Sequence, residues 1–173
     1  MWYFIYHPEV GLLNQFLRII GFKDFSFSWL GEASTALNAV VISVAWQWIG
    51  YHMVIYITGI TNISSEIIES AKIDGASEWQ IVKNITIPLI LPMAKVSAVL
   101  MTTGSLKYFD NIFIMTLGGP NHASEVLASH MYTKAFAQMK FGYGSAISTV
   151  LLLLCIIATV FMNKLFNSKI EKL

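Results

Sequence analysis

The sequence predicts an all-α, polytopic integral membrane protein with about three transmembrane helices and a polar two-helix loop after the first of them. Three observations lead there. The 173 residues are 55% hydrophobic and 12% charged, with a mean hydropathy of +0.62, whereas roughly a quarter of the residues of a water-soluble domain are charged. No Asp, Glu, Lys or Arg occurs in 33–65 or in 141–163, and each window exceeds the roughly 20 residues a helix needs to cross the hydrocarbon core. Between them, residues 66–92 form a polar island whose apolar positions recur at helical spacing.

In chain order, residues 1–32 mix aromatics with Pro8, Gly11, Gly21 and Gly31. The stretch from Gly11 to Ile20 reads as a short amphipathic helix at a membrane interface. A first span follows at 34–60. Residues 64–87 make the loop. Ser64 and Ser65 supply hydroxyls for a helix start near Ser65, and Glu66 places a carboxylate at the positive end of the dipole. Gly75 stops that helix, and Ser77 with Gln80 has the spacing of a capping box that starts another. Ile68 and Ala71 in the first helix, and Trp79, Val82 and Ile85 in the second, give each one apolar stripe. Pro88 and Pro92 mark re-entry into the bilayer, since proline suits a first helical turn.

A second span occupies 88–112, although Lys95, Lys107 and Asp110 interrupt it. Lys95 is expected to snorkel at one end, and Lys107 and Asp110 to pair three residues apart at the other. Residues 113–141 form a loop, 142–165 the last span, and 166–173 a tail. Gly142, Ser145, Ala146 and Thr149 offer small residues for close helix approach at the start of that span.

Several function classes are excluded. A net charge of +1 without a basic stripe argues against nucleic acid. Cys155 is the single cysteine, so there is no disulfide framework within the chain. His122 and His130 are eight apart in a loop, and no third ligand is expected beside them, so no metal site is expected. The N-terminus lacks the basic region and apolar core of a signal peptide. Paired catalytic carboxylates, a nucleophile elbow and a His-Glu-x-x-His helix are all missing from the sequence, and so is a Gly-x-x-x-x-Gly-Lys-Ser/Thr phosphate loop. Trp46, Trp48, Tyr51, His52 and Tyr56 crowd the first span with Gln47. The aromatics either pack against neighbouring helices or face a sugar, and His52 is expected to hydrogen-bond a neighbouring helix.

The loop resembles the cytoplasmic coupling loop of permease subunits in binding-protein-dependent ATP-binding-cassette importers. Its pattern runs Glu-Ala-Ala, three residues, Gly, nine residues, then Ile-x-Leu-Pro, and Glu69, Ala71, Gly75, Ile85 and Pro88 fall at those spacings. Ser70 and Ile87 are conservative departures. Lys107 to Pro120, with its Phe-Asp and Gly-Gly-Pro, and Phe141-Gly-Tyr-Gly-Ser-Ala146 resemble segments of the carbohydrate branch, where Leu117 stands in place of a common glycine or polar residue. Gly11-Leu-Leu-Asn14 and Trp29-Leu30 are similar to an outer segment that precedes the fourth of six spans in sugar permeases. By that alignment the chain corresponds to the C-terminal half of the usual subunit.

The resemblance implies a bacterial plasma-membrane transport subunit rather than an enzyme, importing a sugar or sugar derivative. It binds no cofactor itself, since ATP and Mg belong to a partner ATPase. The implied partners are a second permease subunit, a cytoplasmic ATPase dimer, an extracytoplasmic solute-binding protein and membrane lipid. Glu69, Ala71, Asp74, Gly75, Ala76, Trp79, Ile85 and Pro88 are the implied coupling residues. Glu69 would make a charged contact, Gly75 permit the turn and Ala71 allow close approach. Tyr108, Asp110 and Asn111 are candidates for the substrate path. A non-sugar solute, such as a glycerol phosphodiester or polyamine, and a non-transporting membrane fragment are the alternatives. Orientation rests on the resemblance alone, because Lys72, Lys83, Lys164, Lys169 and Lys172 on one side tie with Arg18, Lys23, Lys107, Lys134 and Lys140 on the other.

Overall fold

The structure is a computed structural model that describes residues 1–22 and 24–170, the side chains of 168–170 excepted. Lys23 and Lys172, and the side chain of Lys169, which enter the charge comparison, lie outside what is described, as does the end of the tail. The described residues are helical, without strands. Helices α1 (Trp2–Ile5) and α2 (Leu12–Ile20) precede α3 (Ala36–Thr61). Then come α4 (Ser65–Ile73), α5 (Glu78–Ile81), a π-helical turn (Val82–Thr86), α6 (Ile87–Leu106) and α7 (Asp110–Met115). Helix α8 (Leu127–Tyr132), a second π turn (Thr133–Ala137) and α9 (Phe141–Ile170) complete the order. Three helical stretches are long and apolar enough to cross a membrane: Ala36–Thr61, Glu78–Met115 and Phe141–Asn167.

The second stretch differs from expectation in two ways. First, Pro88 does not begin a separate helix: α5 runs through the π turn into α6 without a break, and Pro92 lies inside α6. A proline ring collides with the carbonyl four residues back. For Pro88 that residue is Asn84, inside the π turn, where a widened repeat relieves the crowding. Second, the helix is interrupted at 107–109, so Lys107 and Asp110 are not one turn apart on a single helix and form no ion pair. Asp110 instead sits in the first turn of α7.

The residues group into two compact units. One comprises Met1–Gln47 and Leu106–Leu152. Its core is Tyr6, Ala39, Val40, Ile112 and Met115, with Trp2, Leu13, Trp29, Leu30 and Tyr108 packed against it. Burial raises the pKa of the Tyr6 phenol. The N-terminal segment is held by Asn14, which is fully buried. Its amide nitrogen donates to Pro8 O (2.8 Å) and Phe27 O (2.9 Å), and its oxygen accepts from the Trp29 indole at 2.7 Å. This explains why the Gly-Leu-Leu-Asn and Trp-Leu pieces occur together. Gly11 is required beside it, since a Cβ there would lie 2.2 Å from His7 O.

In the same unit Leu117 adopts φ 52° at the Gly-Gly-Pro turn, the left-handed region that suits glycine at this place. Small-residue contact at the start of α9 falls elsewhere than expected. Gly142 has open space around it, whereas a Cβ on Gly144 would lie 2.6 Å from Ala135 Cβ, and Ser145, Ala146 and Thr149 are exposed. A spacing of four residues selects a helix face, but the partner element decides which face is covered.

The other unit comprises Trp48–Ser105 and Leu153–Leu173. Within it buried His52 meets buried Ser97 through Nδ1 and Oγ at 2.8 Å, the inter-helix hydrogen bond expected for a histidine in a span. Lys95 does not snorkel freely, because its Nζ donates to Asn167 Oδ1 at 2.8 Å.

Candidate functional site

The loop at 64–87 is built by local hydrogen bonds that its sequence specifies. Ser64 Oγ accepts from Glu66 N at 3.3 Å and starts α4. At its end, Gly75 N donates to Lys72 O (3.0 Å) and Ala76 N to Ala71 O (3.0 Å), the paired bonds of a Schellman turn. Gly75 takes φ 82° there, with no atom near enough to object to a Cβ, so the requirement for glycine is conformational. Two residues on, Ser77 and Gln80 close a reciprocal capping box: Gln80 Oε1 accepts from Ser77 N at 2.8 Å, and Ser77 Oγ accepts from Gln80 N at 3.4 Å. Lys72 and Glu78 bridge the turn at 3.0 Å, but both are solvent-exposed, so the pair adds at most ~1 kcal/mol.

The faces of this helix pair differ from the predicted stripes. Ile81 is buried, and Ile68, Ala71, Ala76, Ile85 and Pro88 are half-buried. Trp79 is 72% exposed and Ile73 86% exposed, with Ile67 and Val82 also uncovered. Trp79 and Val82 therefore do not share the covered face of Ile85. Periodicity identifies apolar positions on a short helix without showing which face its own unit covers, and Ile73, between the charged Lys72 and Asp74, lies outside the predicted stripe. Glu69, Asp74 and Gly75 are exposed. The loop thus presents two large apolar side chains beside free carboxylates on a rigid, doubly capped turn.

The three path candidates are placed separately. Tyr108 is half-buried in the interruption before α7 and packs on the core cluster. Asp110 is exposed. Asn111 is half-buried and turned onto α3, where its Nδ2 donates to Ser43 Oγ and to Gln47 Oε1, each at 3.4 Å. Ser43 is fully buried and donates in turn to Val40 O at 2.7 Å.

Contrary to the expectation that no third ligand stands beside His122 and His130, Glu125 lies between them, with its two carboxylate oxygens 3.0 Å from His122 Nδ1 and 3.1 Å from His130 Nδ1. These three brace the loop after the Gly-Gly-Pro turn, and among the described residues no cluster has the arrangement of a metal site.

Comparison with known proteins places this geometry. Residues 2–172 match the model of the binding-protein-dependent transport system inner membrane component. The chain is 40% identical over 169 residues to a probable ABC transporter permease protein, YurN of Bacillus subtilis (strain 168), covering 98% of this chain and 58% of that one. It is 33% identical over 153 residues to the diacetylchitobiose uptake system permease protein NgcF of Streptomyces coelicolor (strain ATCC BAA-471 / A3(2) / M145), covering 87% of this chain and 43% of NgcF. The chain therefore spans about half the length of these curated relatives. The fold is shared with a chain of a bacterial alginate ABC transporter solved in complex with an alginate pentasaccharide-bound periplasmic protein, at a TM-score of 0.84 and 22% identity over 97% of this chain and 58% of that chain. Capped loop, membrane-length helices and a family match over nearly every residue agree, and the chain belongs to the inner membrane permease components of binding-protein-dependent ABC transport systems, a family of multi-pass membrane proteins.

Proposed function

We propose that the chain forms part of the translocation path for a sugar or sugar derivative in an ATP-binding-cassette importer and receives its driving force through the 64–87 loop. The observation that carries this reading is the pair of uncovered side chains Ile73 and Trp79, held on a turn fixed by a Schellman motif and a capping box. A rigid element transmits force where a flexible loop would absorb it. Large exposed apolar groups beside free carboxylates suit a protein groove rather than water. In this scheme a cytoplasmic ATPase dimer binds ATP and Mg and closes. Glu69 and Asp74 contact its rim, and Trp79 and Ile73 fill its groove. Ala71, Ala76, Ile85 and Pro88 seat the loop against α6 and its neighbours, so that movement passes into the spans. A second permease subunit completes the path, and an extracytoplasmic binding protein delivers the solute.

Carbohydrate is favoured as cargo by the Phe-Asp and Gly-Gly-Pro segment, by the amide of Asn111 inside the spans, and by the saccharides named for NgcF and the alginate transporter. The test is reconstitution of the importer with its ATPase and binding protein in liposomes. Uptake of radiolabelled oligosaccharide that depends on ATP and on the binding protein is expected. Uptake of a polyamine or glycerol phosphodiester in place of every sugar offered would overturn the assignment of cargo. Absence of ATP-dependent uptake of any of these solutes would overturn the transport role.

A further inference from the structure

The join between the 64–87 loop and the long helix behind it holds one residue more than a regular helix would. Helix α5 runs into α6 through the π turn Val82–Thr86, and Ile87 N donates to Val82 O, five residues back, where a regular helix would use Lys83 O. Pro88 follows immediately. It has no N–H to give to Asn84 O, and in a regular helix its ring would collide with that carbonyl. The proline therefore keeps the wide turn open, while α5 and α6 stay helical on either side. A residue held in such a bulge does not alter how the two flanks face one another. Taken into a regular helix, the same residue turns one flank against the other by about 100° and moves it by about 1.5 Å.

Helix α6 is the flank that cannot turn. Ser97 Oγ meets His52 Nδ1 of α3 at 2.8 Å, a Cβ on Gly59 of α3 would lie 2.9 Å from Met93 Cγ, and Lys95 Nζ donates to Asn167 Oδ1 of α9 at 2.8 Å. A change of register therefore falls on α5, which carries buried Ile81 on one side and Trp79, two residues away, on the other. With the turn closed, Val82 takes the place of Ile81 and Gln80 that of Trp79. Val82 is apolar, so that arrangement also packs, but it presents an amide where the indole stood. We propose that Pro88 is a positioning residue: it holds the π turn open and so sets the rotational register of the coupling helix, offering Trp79 rather than Gln80 to the ATPase. The inference rests on the coupling role proposed above and names what fixes its geometry.

The test compares three forms of the assembled importer in inverted membrane vesicles, all with Ile81→Cys in a Cys155→Ala background. One has no further change, the second adds Pro88→Ala, and the third adds Pro88→Ala and deletes Asn84. Alanine restores the N–H and removes the ring, so the turn closes and α5 rotates. Deleting Asn84 takes out the additional residue, so a regular helix returns α5 to its original register. A charged, impermeant methanethiosulfonate should modify the thiol at position 81 at least about tenfold faster with Pro88→Ala, and within about twofold of the first form once Asn84 is also deleted. The same changes with Ile81 intact are titrated with purified ATPase subunit. Affinity should fall at least about tenfold with Pro88→Ala and recover with the deletion. A proline that served only for packing would leave the thiol reactive in both Pro88→Ala forms. Equal labelling with and without Pro88→Ala, or labelling that stays fast after the deletion, would overturn the proposal. Labelling that follows the register while ATPase affinity stays constant would keep the role of Pro88 and overturn the coupling role of the loop.

Discussion

Replacing Trp79 by alanine should detach the energy source while leaving the membrane protein folded. Trp79 is 72% exposed, so about 180 Å² of an indole of roughly 250 Å² is available to a partner. At ~25 cal/mol per Å² its burial is worth about 4 kcal/mol. Ordering the side chain and desolvating the rim consume part of that, and an anchor residue of this kind leaves about 2 kcal/mol, or roughly 30-fold in affinity. Little is lost within the chain itself, because the capping box of α5 uses Ser77 and Gln80 and the covered contact is Ile81. The assay is titration of purified ATPase subunit onto detergent-solubilised importer, with helicity and thermal unfolding measured alongside. Trp79→Ala should weaken binding about 30-fold with the melting temperature unchanged. Binding within about twofold of wild type would show that the indole is not in the interface and would refute the outward-face argument.

Three further outcomes are expected. Gly75→Pro removes the N–H that donates to Lys72 O and imposes a negative φ where the turn needs 82°. Uptake should fall to background while membrane insertion, measured by alkaline extraction, is unaffected, and normal uptake would contradict the role of the turn. Asn14→Ala removes three hydrogen bonds from a fully buried site and leaves the Trp29 indole N–H without its acceptor. It should cost about 3 kcal/mol, seen as a lower melting temperature. Lastly, in a Cys155→Ala background, Ser77→Cys should resist an impermeant thiol reagent in intact cells and react in inverted vesicles. Asn121→Cys should do the reverse, and the opposite labelling would invert the orientation.

The features legible in the sequence are those fixed within a few residues along the chain. Membrane class follows from charge-free windows longer than a bilayer is thick, and needs no knowledge of neighbours. The two caps of the loop are equally local. Ser64 to Glu66, Ala71 to Ala76 and Ser77 to Gln80 are bonds between residues two to five apart, so the residue types at those spacings imply the turn. Gly75 could be assigned because only its own backbone conformation is at issue.

Tertiary structure decided which surfaces those elements cover and which distant side chains meet. The outward placement of Trp79 and Ile73 depends on Ile81 and Ile85 being drawn inward, which a two-turn apolar pattern cannot foretell. Asn111 reaches Gln47 and Ser43, and Lys95 reaches Asn167, across separations of 64 to 72 residues. Gly144 rather than Gly142 meets Ala135, only nine residues back, because the turn between the second π turn and α9 decides which face of α9 is covered. The sequence by itself determined membrane class, helix starts and stops, and the capped loop, because short-range hydrogen bonding and solvent transfer act on each segment separately. Only the tertiary structure decided that Trp79 and Ile73 stay uncovered and that the Gln47 and Asn111 amides meet, because those follow from how elements turn their faces to one another.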